Sequence, residues 1–385
     1  MNDLQMDHKE RIREVDILRG FALLGICLVN VPEMFGKGLA FQSVFTGSDA
    51  FIRLLYDMFV QTKFYTLFAF LFGISFYLFM QSAERRGLSA KRAMSRRLLL
   101  LLLLVIGVAH GVLFWFGDIL HTYAILGFFL LLFYKRTGKA ILIWSLSLLS
   151  FSVLIVVTSS LLALMVAPEA LNEPIFHGIP EWEERAGYLL NYSSLNLLWI
   201  GPEILGLFLL GLYAGKRGWF TSKGLSDTIL RRLQWGSIFL SILLFIPMVN
   251  QYLSGSEYYS RYVYHYTFLT GKTMAIFYLC TLLRLIRVFG ALRFNSFAAC
   301  GQMAYTNYLT QTLITMLLFN LVWHDAGSWP LWANLNYALL LFMLQAGWSL
   351  LWLRHYNLGP LEWAWRTVTY LQLPPLRKKA AVSQD

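Results

Sequence analysis

The sequence RRLLLLLLLVIGVAHGVLFWFGDILHTYAILGFFLLLFYKR, residues 96–136, holds two apolar runs between two pairs of basic residues. A helix that crosses a bilayer needs about 20 mostly apolar residues, because every backbone amide must bond within the helix. The runs at 98–116 and 119–134 approach that length, and two crossings would return the second basic pair to the side of the first. The stretch therefore predicts two consecutive transmembrane helices.

The rest of the chain repeats this pattern. Of the 385 residues, 57% are hydrophobic and only 14% are charged, against about a quarter charged in a soluble domain. Eight further apolar runs lie at 15–32, 62–81, 140–167, 195–215, 233–250, 268–288, 297–322 and 331–353. The sequence thus predicts an all-α polytopic membrane protein with about ten transmembrane helices.

The distribution of basic residues indicates which side the connections occupy. A net charge of +11 would also suit a nucleic-acid-binding protein, but the basic residues concentrate in alternate connections, as they do in cytoplasmic loops. These connections lie at 85–97, 135–139, 216–232 and 284–293. We therefore expect no nucleic-acid partner and both chain ends in the cytoplasm. The predicted parts are a cytoplasmic N-terminus at 1–14, one transmembrane domain at 15–370 and a basic cytoplasmic tail at 371–385.

Three connections on the opposite side, 33–61, 168–194 and 251–267, are longer than a turn. Residues 49–61 place apolar side chains on one helical face and charges on the other, which predicts an outer interfacial helix. Residues 168–194 contain three prolines and a cluster of glutamates, which predicts an irregular exposed loop.

Charged and amide side chains inside apolar runs are costly in a bilayer, so each is a candidate site. Asp16 and Arg19 are three residues apart at the cytoplasmic end of the first run and predict an ion pair on one helical face. Asn30 lies about 21 Å further along the helix, near its outer end. Its amide would bind a substrate or a developing oxyanion, or else bond a neighbouring helix.

The richest polar stretch is at the centre of residues 96–136. His110 lies inside an otherwise apolar run, Asp118 follows it, and His121 is three residues beyond Asp118. A histidine held by a carboxylate can act as a general base toward a hydroxyl or amine, because the carboxylate orients the ring and stabilises its cation. The same groups could relay protons in a transporter, so the residues leave both chemistries open.

Other polar and basic residues form two further candidate sets. Those that could bind a substrate are Lys63, Tyr123, Glu203 and Asn307. Asn307 shares a helix face with Gln311, which equally predicts hydrogen bonds between helices. Those that could bind the phosphates of a nucleotide-like cofactor, or only set the topology, are Arg96, Arg97, Lys216 and Arg217. No Cys/His spacing typical of a metal site occurs, so we expect no metal.

Several short motifs together point to a known family. They are Val15-Asp16-Ile17-Leu18-Arg19-Gly20, Lys63-Phe64-Tyr65-Thr66-Leu67-Phe68, His110 with Gly117-Asp118-Ile119-Leu120, Gly215-Lys216-Arg217-Gly218, Thr306-Asn307-Tyr308 and Gly359-Pro360-Leu361-Glu362-Trp363. In this combination the chain resembles the YeiB-like proteins, whose second half is called domain of unknown function 418. The resemblance covers most of the chain and implies a multi-pass protein of the bacterial inner membrane, in a family without an established reaction.

The first motif is also similar to that of the transmembrane acyltransferases, which include the heparan-α-glucosaminide acetyltransferases. Those enzymes pass an acyl group from cytoplasmic acyl-CoA to a sugar or similar acceptor across the bilayer. The resemblance implies that Asp16, Arg19 and Asn30 match conserved positions. Those acetyltransferases have a catalytic histidine about ten residues beyond the asparagine that Asn30 matches. This chain has Phe41 and Gln42 there instead. If the chemistry is kept, His110 with Asp118 would supply the base.

The sequence leaves two functions open, besides a membrane scaffold or sensor in which these polar residues would serve only the fold. The first is a transmembrane acyltransferase that takes acyl-CoA as donor and a small-molecule or glycan acceptor at the outer face. The alternative is a proton-coupled secondary transporter of a small solute, with Lys63, Asp118 and Glu203 lining its cavity. Membrane lipids are the expected surroundings in both cases, and the formation of a homo-oligomer stays open.

Overall fold

The computed structural model describes residues 13–102, 107–115, 117–173, 181–220 and 224–378, and most of them are helical. The helices are α1 (Arg13–Met34), α2 (Gly47–Phe59), α3 (Lys63–Arg85), α4 (Ala90–Leu102), α5 (Gly107–Leu113), α6 (Leu120–Phe133), α7 (Gly138–Val166), α8 (Trp182–Lys216), α9 (Asp227–Leu253), α10 (Tyr264–Phe289), α11 (Asn295–Gln302), α12 (Ala304–Leu321), α13 (Leu331–His355) and α14 (Pro360–Tyr370). Two short strands, β1 (Val44–Thr46) and β2 (Glu257–Tyr259), pair antiparallel.

Seven helices among the described residues are long and apolar enough to cross a membrane. The prediction of an all-α polytopic membrane protein is therefore confirmed, although its ten spans are not all found as such helices. Of the run at 98–116, residues 103–106 and 116 lie outside the described residues. The run at 297–322 is two helices rather than one, because the chain leaves α11 at Met303 and begins α12 at Ala304.

The long helices α7 and α9 expose many large apolar side chains on the surface of the bundle. On α7, Leu154 is 65% exposed and Leu162 is 58% exposed, and only three residues of that helix are buried. Because exposed apolar area of this extent is unfavourable in water and neutral in hydrocarbon, the surface of α7 fits a lipid environment. The same holds for α9, where Trp235 and Phe239 are exposed.

Helix α1 lies at the centre of the bundle, against α3, α11, α12 and α13. Its contact with α11 requires glycine on both helices: a Cβ atom on Gly20 would lie 2.0 Å from the Phe297 carbonyl oxygen, and one on Gly301 would lie 1.9 Å from the Asp16 carbonyl oxygen. Small residues of this kind let membrane helices approach closely. We call the Arg13 end of α1 the inner end and its Met34 end the outer end, following the predicted topology.

The outer end is covered by α2 and the two strands. Helix α2 begins and ends within two residues of the predicted interfacial helix, with Phe51 and Phe59 exposed on one side. On the other side, Arg53 and Asp57 form a buried ion pair at 3.0 Å beside β2. Both residues belong to α2, and the Arg53 guanidinium also lies over the Phe45 ring of β1, 4.9 Å from its centre, which holds α2 against the strands.

The prediction of an irregular loop over residues 168–194 is wrong from Trp182 onward. Helix α8 begins at Trp182, because Glu181 and Glu184 form a capping box around its first turn. The acidic residues that suggested an exposed loop therefore start a helix. Residues 174–180 of the predicted loop lie outside the described residues.

Candidate functional site

Asp118 is the centre of the polar cluster, in the short segment between α5 and α6. It is buried, and its Oδ2 accepts a hydrogen bond from the Leu120 backbone N–H at 3.2 Å. Its Oδ1 accepts one from the Tyr308 hydroxyl at 2.9 Å, so α12 contributes to the cluster as well. These donors favour a negatively charged carboxylate inside the protein.

Two histidines face this carboxylate. His110 Nδ1 lies 3.4 Å from Asp118 Oδ1, and His121 Nδ1 lies 3.8 Å from Oδ2. Among the described residues, neither ring nitrogen of the buried His110 has an aligned hydrogen-bond partner. The arrangement can therefore hold a proton on His110 beside a negative charge, and the ring nitrogens remain able to bond a substrate.

A cavity of about 220 Å³ begins beside this cluster and extends toward the inner end. Ile26, Ile119 and Tyr308 line its outer part. Along α3, the lining runs from Phe68 to Phe79. Those two residues are eleven positions apart, which is about 16 Å along a helix. Because Tyr308 both lines the cavity and bonds Asp118, its side chain connects the cavity to the polar cluster.

The inner end of the cavity is basic. Arg97 and Arg366 line it, and the Arg97 guanidinium stacks on Trp365 at 4.1 Å and on Phe79 at 4.9 Å from the ring centres. Among the described residues, that guanidinium has no hydrogen bond and no ion pair. Burial lowers the pKa of Arg97 to about 10, so it remains cationic at neutral pH. The cavity thus presents a cation suited to an anionic group.

Arg19 also lines the cavity but is held within the protein. Its Nη1 bonds Asp16 at 2.7 Å, and its Nη2 bonds Ser75 of α3 at 2.6 Å. The predicted ion pair of Asp16 and Arg19 is thus present in the structure, and it also fixes the wall of the cavity.

Helix α14 closes the inner end through Glu362. Its carboxylate accepts hydrogen bonds from the backbone N–H groups of Tyr305 at 2.8 Å and Thr306 at 3.0 Å, and from the Thr306 hydroxyl. These N–H groups belong to the first turn of α12, where a carboxylate is most favourable. Glu362 therefore explains both the start of α12 and the place of α14 beneath the cavity.

Asn30, predicted to bind a substrate or an oxyanion, is not among the residues that line the cavity. It is one turn beyond Ile26, which lines the cavity, and one turn before Met34, which packs with Trp115 and Met316. Asn30 is half-buried, and its helical spacing puts it next to the outer part of the cavity.

Of the four predicted substrate-binding residues, only Tyr123 lines the cavity. Lys63 is fully buried and donates to the Asp57 and Thr267 carbonyls and to the Thr270 hydroxyl. Its three donors fix the start of α3. The structure therefore gives Lys63 partners in the protein instead of a place at the cavity.

Glu203 and Asn307 also lie within helix contacts. Glu203 of α8 forms an ion pair with Lys272 of α10 and accepts the Tyr65 hydroxyl of α3 at 3.0 Å. Asn307 donates to the Ser349 hydroxyl of α13 at 2.9 Å. Both residues join helices, and neither lines the cavity.

The four predicted phosphate-binding residues do not come together. Arg97 lines the cavity, whereas Arg96 beside it is exposed and does not. Lys216 donates to the Arg136 carbonyl, and Arg217 bonds the Tyr213 hydroxyl, at the inner end of α8 away from the cavity lining. The sequence places all four on the inner side, but it does not give their positions around the bundle.

Tyr308 and Arg366 are among the cavity residues that were not predicted as site residues. Tyr308 belongs to the Thr306-Asn307-Tyr308 motif, and Arg366 follows the motif that ends at Trp363. The motifs were visible in the sequence, but the pairing of Tyr308 with Asp118 spans 190 positions and has no local signal.

Comparison with known proteins gives a consistent family. The family model described as protein of unknown function, DUF418, matches residues 214–372. The uncharacterized protein YxaH of Bacillus subtilis (strain 168) is 32% identical, covering 97% of this chain and 98% of YxaH.

Two further relatives match over nearly their whole lengths. The uncharacterized 39.9 kDa protein encoded in the amylase 3′ region of Bacillus acidopullulyticus is 31% identical, over 99% of this chain and 100% of the relative. The uncharacterized protein YeiB of Escherichia coli (strain K12) is 27% identical, over 97% of this chain and 100% of YeiB.

Proposed function

This chain belongs to the DUF418 family of helical membrane proteins, and from its site we propose that it is a transmembrane acyltransferase. It moves an acyl group from acyl-CoA at the inner end to a hydroxyl of an acceptor, a small molecule or a glycan, at the outer end. The relatives come from bacteria, which supports a place in the bacterial inner membrane with the inner end in the cytoplasm.

The observation that carries this proposal is the cavity between Arg97 and the Asp118 cluster. A donor of this type has an anionic phosphate head and a long, largely neutral arm that ends in the reactive thioester. Arg97 suits the head, since its guanidinium forms no ion pair with any carboxylate among the described residues. The cavity, about 16 Å long, suits the arm and would bring the thioester to Tyr308, which bonds Asp118.

His110 then acts as the base in the transfer. It takes the proton of the acceptor hydroxyl while that oxygen forms a bond to the thioester carbonyl carbon. The carbon–sulfur bond breaks, and the CoA thiolate takes the proton from the imidazolium. Asp118 stabilises the imidazolium at 3.4 Å, and Asn30 donates to the carbonyl oxygen as it becomes negative.

Binding of acetyl-CoA to the purified protein, measured by calorimetry, tests the donor site. Arg97→Gln should weaken binding by roughly ten- to a hundredfold, the value of one charge-assisted hydrogen bond to a phosphate. Arg96→Gln is the matched control, because Arg96 is adjacent and exposed. His110→Ala should bind normally and lose transfer. Equal affinity in Arg97→Gln and wild type would refute the site.

A second candidate, a proton-coupled transporter, is favoured by the ion pair of Glu203 and Lys272 between α8 and α10. Buried charges between membrane helices are typical of proton relays. Proteoliposomes with a pH-sensitive dye inside would then show proton flux that Glu203→Gln and Asp118→Asn abolish. Flux no greater than in liposomes without protein would remove this candidate.

A further inference from the structure

A second pocket, of about 430 Å³, lies at the outer end between α5, α8 and α12. We call it the outer pocket. Its polar groups are Glu181, Arg185 and Asn320, and its apolar ones include Leu113, Phe114 and Leu317. Its volume lies in the range of small-molecule sites.

The apolar side of the outer pocket is exposed on the outside of the helix bundle. Leu113 is 60% exposed and Leu317 is 48% exposed, which fits lipid rather than water at the edge of a membrane helix. The polar residues lie near the start of α8 and the end of α12. A molecule that matches both sides has an apolar body and a polar head, and it can enter sideways from the outer leaflet.

The polar residues define the charge of that head. Glu181 and Arg185 have opposite charges, so the outer pocket offers no net charge to an ion. The Asn320 amide donates one hydrogen bond to the Met316 carbonyl at 2.8 Å and keeps a second N–H and its oxygen, so the three residues together provide both acceptors and donors. Hydroxyl groups use both kinds of partner, so a neutral head with hydroxyls fits better than a phosphate or a carboxylate.

The outer pocket is also close to His110. Arg185 donates to the Val112 carbonyl at 2.7 Å and to the Leu113 carbonyl at 3.2 Å, which holds the end of the helix that carries His110. Phe114 lines the outer pocket, and its ring centre is 6.0 Å from that of His110.

A plug of three side chains continues from the outer pocket toward the candidate site. The plug consists of Met34, Trp115 and Met316, which pack together. Met316 also lines the outer pocket, and Trp115 is three residues before Asp118. Tyr308, Thr312 and Met316 follow one another at one-turn intervals on a single face of α12. That face leads from the inner cavity, through the fully buried Thr312, to the outer pocket.

We propose that the outer pocket binds the headgroup of a neutral, hydroxyl-bearing membrane lipid that enters from the outer leaflet. The inference rests on the proposed function only for the fate of this lipid, whose hydroxyl would be the acyl acceptor. Binding itself needs no donor. Opening of the plug formed by Met34, Trp115 and Met316 would then bring the hydroxyl to His110.

Protection of an introduced cysteine tests the binding. Leu317→Cys, which keeps the three polar residues of the outer pocket, is made in a chain whose native cysteines, Cys27, Cys280 and Cys300, are all buried, and is placed in phosphatidylcholine nanodiscs. Monoolein, which has two hydroxyls and no charge, should slow maleimide labelling about tenfold when it reaches ten times its Kd. Oleic acid, which has the same chain and a carboxyl head, should not. Ser256→Cys, exposed elsewhere at the outer end, is the control position.

Equal slowing by both lipids, slowing at Ser256→Cys as well, or no slowing would overturn the inference. A photoreactive monoacylglycerol gives a second readout in the unmutated protein. Crosslinks should map to residues 113–114 or 316–320, and crosslinks found only elsewhere would contradict the outer pocket. Because no acyl-CoA is present, failure here leaves donor binding untouched, and failure of acyl transfer leaves this result standing.

Discussion

Replacing Tyr308 by Phe removes one hydroxyl from the buried centre of the candidate site. That hydroxyl donates to Asp118 at 2.9 Å, and the Leu120 N–H at 3.2 Å is another hydrogen bond to this carboxylate. A hydrogen bond to a charged group contributes about 1.5–3 kcal/mol. We expect Tyr308→Phe to lower the free energy of unfolding by about 2 kcal/mol, because the carboxylate stays buried with one donor fewer.

Tyr305→Phe is the matched control for this prediction. Tyr305 lines the same cavity and is similarly buried, at 9% exposure against 5% for Tyr308. Its hydroxyl has no hydrogen-bond partner among the described residues, so its loss should change stability by about 0.5 kcal/mol or less. Unfolding by sodium dodecyl sulfate in mixed micelles, followed by circular dichroism, measures both variants. Equal losses in the two variants, or no loss in Tyr308→Phe, would refute the reasoning.

Three further predictions concern the inner end and the helix contacts. Burial raises the pKa of Glu362, so its protonation stabilises the fold at low pH and this contribution is lost as the pH rises through the folded-state pKa. Thermal unfolding between about pH 4 and pH 8 should therefore show wild type losing more stability than Glu362→Gln; parallel curves would contradict this. Gly301→Leu should separate α1 from α11 and lower the melting temperature, whereas Gly347→Leu, where a Cβ atom meets nothing within 4 Å, should not; similar losses would argue against the contact. Lys272→Met should cost about 3–5 kcal/mol in the same micelle titration by leaving Glu203 unpaired, and adding Glu203→Gln should recover much of it. No recovery in the double variant would mean that the ion pair is not the cause.

The fold class follows from the sequence because lipid-facing helices have simple patterns. The run at 140–167 was predicted within two residues of the observed Gly138–Val166, since uniform apolarity and a capping Thr137 define it locally. The run at 297–322 was predicted as one span and is two helices. Its interruption depends on Glu362, which caps the first turn of α12 from another part of the chain.

The candidate site, like the fold, was predictable only where its residues are close in sequence. Helical spacing predicted that Asp118 and His121 share a face, and the structure has them 3.8 Å apart. Spacing did not predict that His110 lies 3.4 Å from Asp118, because Asp118 is in the segment between α5 and α6 and not in a helix. The four basic residues were proposed to bind phosphates only because all of them were predicted on the cytoplasmic side of the membrane. Of those four, Arg97 alone reaches the cavity, because positions around the bundle depend on packing between distant segments.

Release of CoA by membrane vesicles tests the central claim most directly. Vesicles with the inner end of the protein facing out, from cells with and without the protein, receive acetyl-CoA, and the freed thiol is measured over time. We expect thiol release that requires the protein and is lost in His110→Ala and in Arg97→Gln but not in Arg96→Gln. Release equal to that of vesicles without the protein, or unchanged in His110→Ala, would contradict it.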